Sequence, residues 1–264
     1  MFNQEFYRHA EAYDIAFSFR NVPSECDFLE WCFKQHATAK VQDERRYLDI
    51  CAGPSPHGIE LAKRGWHCVA VDLSREMREY ALRKAGREQV HLEYIVGDIR
   101  DFDIPRQAAL AGCYIDSLTH LTANEDVVRH FQAVRANMLS GGLYIIELAH
   151  PRYVFPATEP NIWTVQSGDQ EVEMLYGLPD DFYDTVTQVW ELTSRLTVRK
   201  NKRIVETLER MVKHRFYMCQ ELKALIDLSG VFDFYTFYSE LALPPEPLVH
   251  SSKGNHMIAV LRFK

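Results

Sequence analysis

The sequence predicts an α/β fold: a twisted, mainly parallel sheet with helices on both faces and an inserted antiparallel β layer. Three observations predict it. Residues 47–74, YLDICAGPSPHGIELAKRGWHCVAVDLS, read as strand, turn, helix, strand, the unit in which two parallel strands are joined by a crossover. Strand and helix signals then continue in turn as far as residue 148. From Arg152 the period changes to two, the mark of half-buried antiparallel strands.

Within the first unit, Tyr47–Cys51 is a short apolar run carrying one acid, Asp49. Ala52 to Gly58 is a turn with two glycines and two prolines. Ile59–Arg64 is helical and stops at Gly65, a natural terminator. Trp66–Val71 is the second apolar run and ends on Asp72. Such a unit holds a nucleoside-containing ligand across the carboxyl ends of its strands. The turn separates two ligand types. A dinucleotide wants G-x-G-x-x-G, so that bare amides can approach the pyrophosphate. Here the three positions hold Cys51, Gly53 and Pro56 in one register and Gly53, Ser55 and Gly58 in the other. Pro54 and Pro56 also lack an N–H. S-adenosylmethionine has no phosphate. Its ammonium suits Asp49, and its ribose diol suits Asp72.

The stretch resembles motif I and the following acidic motif of class I S-adenosylmethionine-dependent methyltransferases, worded close to L-D-x-G-x-G-x-G and then x-D-x-S-x-x-M. This chain has Leu48-Asp49-Ile50-Cys51-Ala52-Gly53-Pro54-Ser55, then Val71-Asp72-Leu73-Ser74-Arg75-Glu76-Met77. Cys51 and Ser55 stand where the outer glycines would. The resemblance implies a Rossmann-like seven-stranded sheet and S-adenosylmethionine as cofactor. It implies cofactor contacts at Asp49, Cys51, Ala52, Gly53, Asp72, Leu73, Met77 and Cys113. A Rossmann-like relic that binds nothing is the alternative.

Residues 1–40 look helical and are rich in aromatics: Phe2, Phe6, Tyr13, Phe17, Phe28, Trp31 and Phe33. Related small-molecule methyltransferases often begin with a tyrosine-rich segment, Tyr-Asp near its middle, that folds over the cofactor. Tyr13-Asp14 matches it; Tyr7 and Arg20 are secondary candidates. Ser74 is a good N-cap for a helix with Met77, Tyr80, Ala81 and Lys84 on one face. Val90–Val96 alternates as a third strand and ends in Gly97-Asp98-Ile99. By resemblance, Asp98 takes the adenine amino group and the Ile99 N–H meets the ring. Ala108–Ile115 is a fourth strand. It runs into Asp116-Ser117-Leu118-Thr119-His120-Leu121, similar to the D-S-L-N-x-L segment that lies beside the transferred methyl in that family. Thr122 with Glu125 suggests a capping box for a helix ended by Gly141-Gly142, and Leu143–Leu148 is a fifth strand.

Beyond Arg152, Val186, Trp190, Leu192, Leu196 and Val198 fall on even positions, as do Ile204, Leu208, Val212 and Phe216. The pattern predicts a long hairpin turning at Asn201-Lys202, joined by a strand within 162–175. Residues 153–213 are thus expected to form a β lid or wall over the strand tips and an acceptor pocket, inside one domain spanning 1–264. Gln220–Ser229 is a helix. Val231–Tyr238 and His256–Phe263 are closing strands, which the resemblance pairs antiparallel at one sheet edge.

The 264 residues are 47% hydrophobic with net charge −7 and a pI near 5.9. That balance argues against a nucleic-acid partner held by phosphate contacts. Arg195, Arg199, Lys200, Lys202 and Arg203 read as a solvated hairpin tip. The six cysteines include no C-x-x-C pair, so they read as reduced and buried, and no metal site is expected. No secretory signal is visible, and the longest uncharged stretch, Ala136–Ile146, is eleven residues, too short to span a bilayer. The reading is a soluble cytoplasmic protein, with the inserted β layer as a candidate subunit contact in a homodimer.

Methyl transfer from a sulfonium is an in-line displacement in which alignment alone can lower the barrier by about 7–11 kcal/mol. An amine acceptor must arrive neutral; a hydroxyl needs a base. Candidate catalytic groups sit at strand ends: Asp116 and His120 after the fourth strand, Glu147 and His150 after the fifth. The leading expectation is methylation of N or O on a small molecule. Competing readings are an RNA or protein methyltransferase and a catalytically silent cofactor-binding subunit.

Overall fold

The computed structural model describes residues 9–150, 159–250 and 254–264. The chain runs through α1 (Ala10–Ala16), α2 (Val22–His36), β1 (Arg46–Ile50), α3 (Pro56–Lys63), β2 (His67–Asp72), α4 (Arg75–Arg87), β3 (Leu92–Val96) and β4 (Ala108–Cys113). A 3-10 turn, Ser117–His120, leads to α5 (Asn124–Ala136) and β5 (Met138–Ala149). Then come β6 (Ile162–Ser167), β7 (Gln170–Tyr176), β8 (Tyr183–Asp184), β9 (Val189–Lys200) and β10 (Arg203–Arg215). The chain closes with α6 (Cys219–Ser229), β11 (Phe232–Tyr238) and β12 (His256–Phe263).

Seven strands form one sheet in the order β11-β12-β5-β4-β1-β2-β3. β1 to β5 pair in parallel, and β12 runs antiparallel to both β5 and β11. The chain fills one half from β1 outwards to β3, then starts the other at β4. The switch therefore lies between β1 and β4, where open α/β sheets leave a crevice for a ligand. All six residues of β4 are buried, as expected of a strand covered on both faces. One apolar layer joins Phe131 of α5 and Leu222 of α6 to the sheet. The other joins Phe28 and Leu29 of α2 and Leu61 of α3.

The local signals mostly act as the sequence suggests. Ser74 Oγ accepts the Met77 N–H at 3.1 Å, a cap typically worth about 1 kcal/mol. Pro56 opens α3, at the position where its missing N–H costs nothing. Two expectations fail. The Thr122–Glu125 capping box does not form, because α5 starts one residue later: its N-cap is Ala123, which offers no side-chain bond. The Gly141-Gly142 pair does not end that helix, which stops at Ala136. The pair lies inside β5, where a Cβ on Gly142 would meet the Ala109 carbonyl at 2.7 Å. The glycine serves a close strand approach.

The second sheet has the order β10-β9-β7-β6, with β8 on β9. The expected hairpin is present. Asn201 and Lys202 both have positive φ, 49° and 65°, as a two-residue hairpin turn demands. The single strand expected within 162–175 is instead a hairpin, β6 and β7, because Gly168 at φ 60° turns the chain. The even-numbered face of β9 packs inward through Leu192, Leu196 and Val198. Ala12 and Ala16 of α1 pack on Val172, Met174, Leu196 and Val198, so α1 lies against this sheet. Tyr7 and the amino-terminal part of the 153–213 segment fall outside the described residues. Among the described residues no helix is long and apolar enough to cross a membrane. No group of three or more His, Cys, Asp or Glu among them is arranged to hold a metal.

Candidate active site at the strand tips

The turn after β1 folds on itself. Cys51, Gly53 and Ser55 all have positive φ: 52°, 50° and 50°. The left-handed region costs a residue with a Cβ roughly 1–2 kcal/mol. Cys51 and Ser55 therefore keep the backbone shape that glycine would adopt freely at the outer motif positions. Part of the cost is offset beneath the turn. Asp49, 2% exposed, accepts the Ser55 hydroxyl at 2.7 Å, the Gly58 N–H at 3.3 Å and the Tyr47 hydroxyl at 3.3 Å. Burial holds its carboxyl up at about 6. Asp49 thus sits under the turn as its anchor, with three donors from the chain itself, rather than open on its surface. The Ala52 carbonyl accepts the Ser55 N–H at 2.7 Å, and Tyr94 of β3 donates its hydroxyl to the Gly53 carbonyl at 2.7 Å. Tyr94 is a support that the sequence reading missed; its place in an alternating strand gives no signal.

Asp72, at the tip of β2, takes the Gly53 N–H and the Ser74 N–H, each at 2.9 Å, and also the Leu73 N–H. No cation partners the carboxylate among the described contacts, and burial raises its pKa. Gly53 is flanked by Met77 Sδ and Tyr13 Cε1, each 3.9 Å from where a Cβ would stand. Burial and the neighbouring Asp72 charge push the Tyr13 phenol up. Tyr13, Gly53, Asp72 and Met77, drawn from α1, the turn, β2 and α4, therefore surround one place. The free thiols of Cys51 and Cys113, the latter at the end of β4, are hydrogen-bonded to each other, spanning the switch point.

Asp98 is held by its neighbour: Arg100 reaches it through Nη2 at 2.6 Å and Nε at 3.0 Å. That fork lowers the carboxyl pKa. Ile99 is buried, and its carbonyl lies 2.8 Å from His130 Nδ1. A depression of about 300 Å³ lined by Trp66, His67, Gln89 and His91 opens at the amino ends of β2 and β3, away from these tips, and takes no part in the site.

Arg20, after α1, is the hub of a buried ionic group. It contacts Glu25 at 2.9 Å and Glu147, at the end of β5, at 2.9 Å. Glu25 also holds His57 of α3 at 2.7 Å, and the His57 ring stacks on Tyr114 at 4.0 Å. Glu147 accepts the Ile115 N–H at 3.0 Å. The amino-terminal segment, the motif turn and two strand tips are tied together through this one guanidinium. Glu147, a candidate base from its position, is engaged as an ion-pair partner.

The chain leaves β4 through two consecutive left-handed residues, Ile115 and Asp116, with φ 53° and 55°. Such strain gathers at functional sites. Asp116 accepts the Ala149 N–H, and burial raises its carboxyl to about 6. His120 follows in the 3-10 turn. Its ring lies 4.2 Å from that of His214 of β10, and burial lowers its pKa to about 4. Desolvation thus moves the ring down from the ordinary value of 6.5, and the imidazole is neutral at pH 7. His150 is 2% exposed, with its N–H on the Asn255 carbonyl at 3.2 Å. His214, which packs on His120 from the second sheet, and Tyr176, which bonds to His214, were not foreseen.

A family model described as a methyltransferase domain matches residues 48–142. The chain is 25% identical over 154 residues to a putative methyltransferase, YqeM, of Bacillus subtilis (strain 168), covering 53% of this chain and 61% of that protein. It is 26% identical over 140 residues to a dTDP-4-amino-2,3,4,6-tetradeoxy-D-glucose N,N-dimethyltransferase of Saccharopolyspora spinosa, covering 53% of each. The matched span is thus little more than half the length of these relatives. In fold, the chain superimposes on an S-adenosylmethionine-dependent methyltransferase from Clostridium acetobutylicum ATCC 824 with a TM-score of 0.75 at 16% identity, covering 98% of each chain.

Proposed function

We propose that the chain is a class I S-adenosylmethionine-dependent methyltransferase, a reading supported by the methyltransferase-domain match, the relatives and the shared fold, and that it methylates the nitrogen of a small-molecule amine. The observation that carries the cofactor half is the internal use of the turn's amides. Gly53, Ser55 and Gly58 donate within the protein, and Pro54 and Pro56 have no N–H to give. This donor set suits a ligand without phosphate. Asp72 fits a ribose diol, since a carboxylate offers about four acceptor sites and three backbone donors leave room for more. Tyr13 and Met77 close over the turn, and Asp98 with Ile99 meets the base edge.

S-adenosylmethionine supplies a methyl on a sulfonium, which is displaced in line by a nucleophile. The chain's own residues bring that nucleophile in and make it neutral. Asp116, with a pKa near 6, is ionised at neutral pH. It attracts an ammonium and accepts its proton, because a base works best when its pKa lies near the working pH. His120, uncharged, orients the acceptor. The second sheet, expected as a lid or wall, excludes water from the pair. The amine acceptor also rests on the amino-sugar N,N-dimethyltransferase among the relatives.

Calorimetry with S-adenosylmethionine tests the first half; no binding by folded protein overturns it. A methyl-transfer screen on dTDP-linked amino sugars, simple amines, phenols and RNA tests the second. Turnover of amines is expected. Turnover confined to phenols or RNA, or binding without any turnover, refutes the amine assignment.

A further inference from the structure

A polar chain from the second sheet reaches the loop that carries His120, and its hydrogen bonds fix its direction. Thr119 Oγ1 lies 2.5 Å from the Asp116 carbonyl, to which it donates. Its only proton is therefore spent, and its 2.5 Å contact with His214 Nδ1 requires the proton on the ring nitrogen. His214 is then the Nδ1–H tautomer, with Nε2 left as acceptor. The Tyr176 hydroxyl lies 2.9 Å from Nδ1 and 3.0 Å from Nε2; with the Nδ1 proton directed at Thr119, Nε2 is the ring nitrogen that can accept, and the hydroxyl donates to it. The sequence runs Tyr176 of β7 to His214 of β10 to Thr119 to the backbone of Asp116, the second of the two left-handed residues. His214 is 2% exposed, and burial together with His120 pushes its pKa well down, so it is a neutral, directional link. Its ring also packs on that of His120 at 4.2 Å and 54°.

We propose that His214 is a positioning residue for methyl transfer: from the second sheet it sets the Thr119 hydroxyl and the His120 ring, so the two halves of the site share one geometry. The inference rests on the methyltransferase reading for its kinetic consequence, and on the structure alone for its effect on His120. A strained turn shifts when one of the groups that hold it, here the Thr119 hydroxyl, loses its partner, and a displacement of about 1 Å near a reacting centre can cost about 10²-fold. Nothing in the chain requires His214 to touch substrate.

Two independent readouts test it. In the first, long-range 1H–15N spectra report the ring nitrogens of His120, assigned by His120→Asn. His214→Ala and Thr119→Val should displace the His120 signals in the same sense. His214→Asn, whose amide N–H replaces Nδ1–H, should return them towards wild type. Unmoved His120 signals in His214→Ala overturn the proposal whatever the protein methylates. If His214→Ala does not fold, Thr119→Val and His214→Asn carry the same comparison. The second readout is kinetic, with a dTDP-linked 4-amino sugar as acceptor. His214→Ala should lower kcat/KM for the acceptor by about 10²-fold and leave S-adenosylmethionine affinity within about twofold. His214→Asn should recover most of it. In a His120→Ala background, the further change His214→Ala should cost clearly less than the roughly 10²-fold expected in wild type, because one of its two targets is gone. Losses that multiply identify a structural role and overturn the proposal. If wild type is inert towards every amine, the function assigned above fails, and the spectra still decide the role of His214.

Discussion

Asp72 and Gly53 are joined by a 2.9 Å hydrogen bond from the glycine N–H to the carboxylate, which locks the tip of β2 to the turn after β1. The same carboxylate is part-buried with no cation among its described partners, and desolvation raises its pKa, a cost that a pair of ribose hydroxyls relieves. Asp72→Ala should weaken S-adenosylmethionine binding by about 1–3 kcal/mol, the usual loss when buried hydroxyls lose a charged acceptor. Calorimetry on folded variant decides it, and an unchanged affinity refutes the ribose role. Tighter binding of NAD than of S-adenosylmethionine by wild type overturns the cofactor itself.

Arg20 sits between Glu25 and Glu147 with side-chain exposures of 12%, 13% and 4%. Removing the cation leaves two largely covered carboxylates without their shared partner. Arg20→Ala should destabilise the fold by about 3–5 kcal/mol, the range for breaking a buried pair from one side. The double variant Arg20→Ala/Glu147→Gln should be more stable than Arg20→Ala alone, since the stranded charge is gone. Urea unfolding measures both; a loss under about 1 kcal/mol would place the cluster among weak surface pairs.

Asp49 makes a pH prediction with a definite sign. Its folded pKa is about 6 against an ordinary value of 3.8. Between those values the folded state holds a proton that the unfolded state has released, so this group makes stability fall as pH rises. The contribution approaches a few kcal/mol, at about 1.4 kcal/mol for each unit of pKa. Asp49→Asn lacks it. The melting temperature of the variant relative to wild type should therefore climb between pH 4 and pH 6.5 and then level off. A difference that is constant with pH shows that the carboxyl is not raised.

The parts of this protein that are legible in its sequence are those written locally. The acid at the end of β2, the small-residue turn, the Ser74 cap and the Asn201-Lys202 hairpin turn each need only a few neighbouring residues to declare themselves. The seven-stranded order was carried by resemblance to a family rather than by periodicity. The missed features are long-range. His214 meets Thr119 across 95 positions and Arg20 meets Glu147 across 127. Period two places His214 on the inward face of β10 but cannot say which loop that face covers. The β6–β7 turn was missed because one glycine, Gly168, between runs of ordinary strand composition, gives a weak signal. The depressed pKa of His120 was illegible for the same reason as its partners: burial is a property of the assembled layers.

His120 and Asp116 divide the chemistry, and the pH profile separates them. An imidazole with a pKa near 4 is neutral throughout pH 6–8, so it contributes no limb there. His120→Ala should lower kcat/KM by about 10²-fold or more through lost orientation, and the ratio of wild type to variant should stay constant across that range. Asp116, with a pKa near 6, becomes a carboxylate as pH rises through that value. A rate that depends on it as base should rise with pH on a limb near 6 and reach a plateau above, apart from the acceptor's own amine titration. Asp116→Asn should remove that limb and lower the plateau by about 10²–10⁴-fold, the usual worth of general-base assistance. If His120→Ala removes the limb and Asp116→Asn leaves it, the assignments are reversed, and the imidazole is less desolvated in the working complex than in the structure. If neither variant changes kcat/KM by more than about twofold, a change too small for either role, His150 at the end of β5 becomes the group to test.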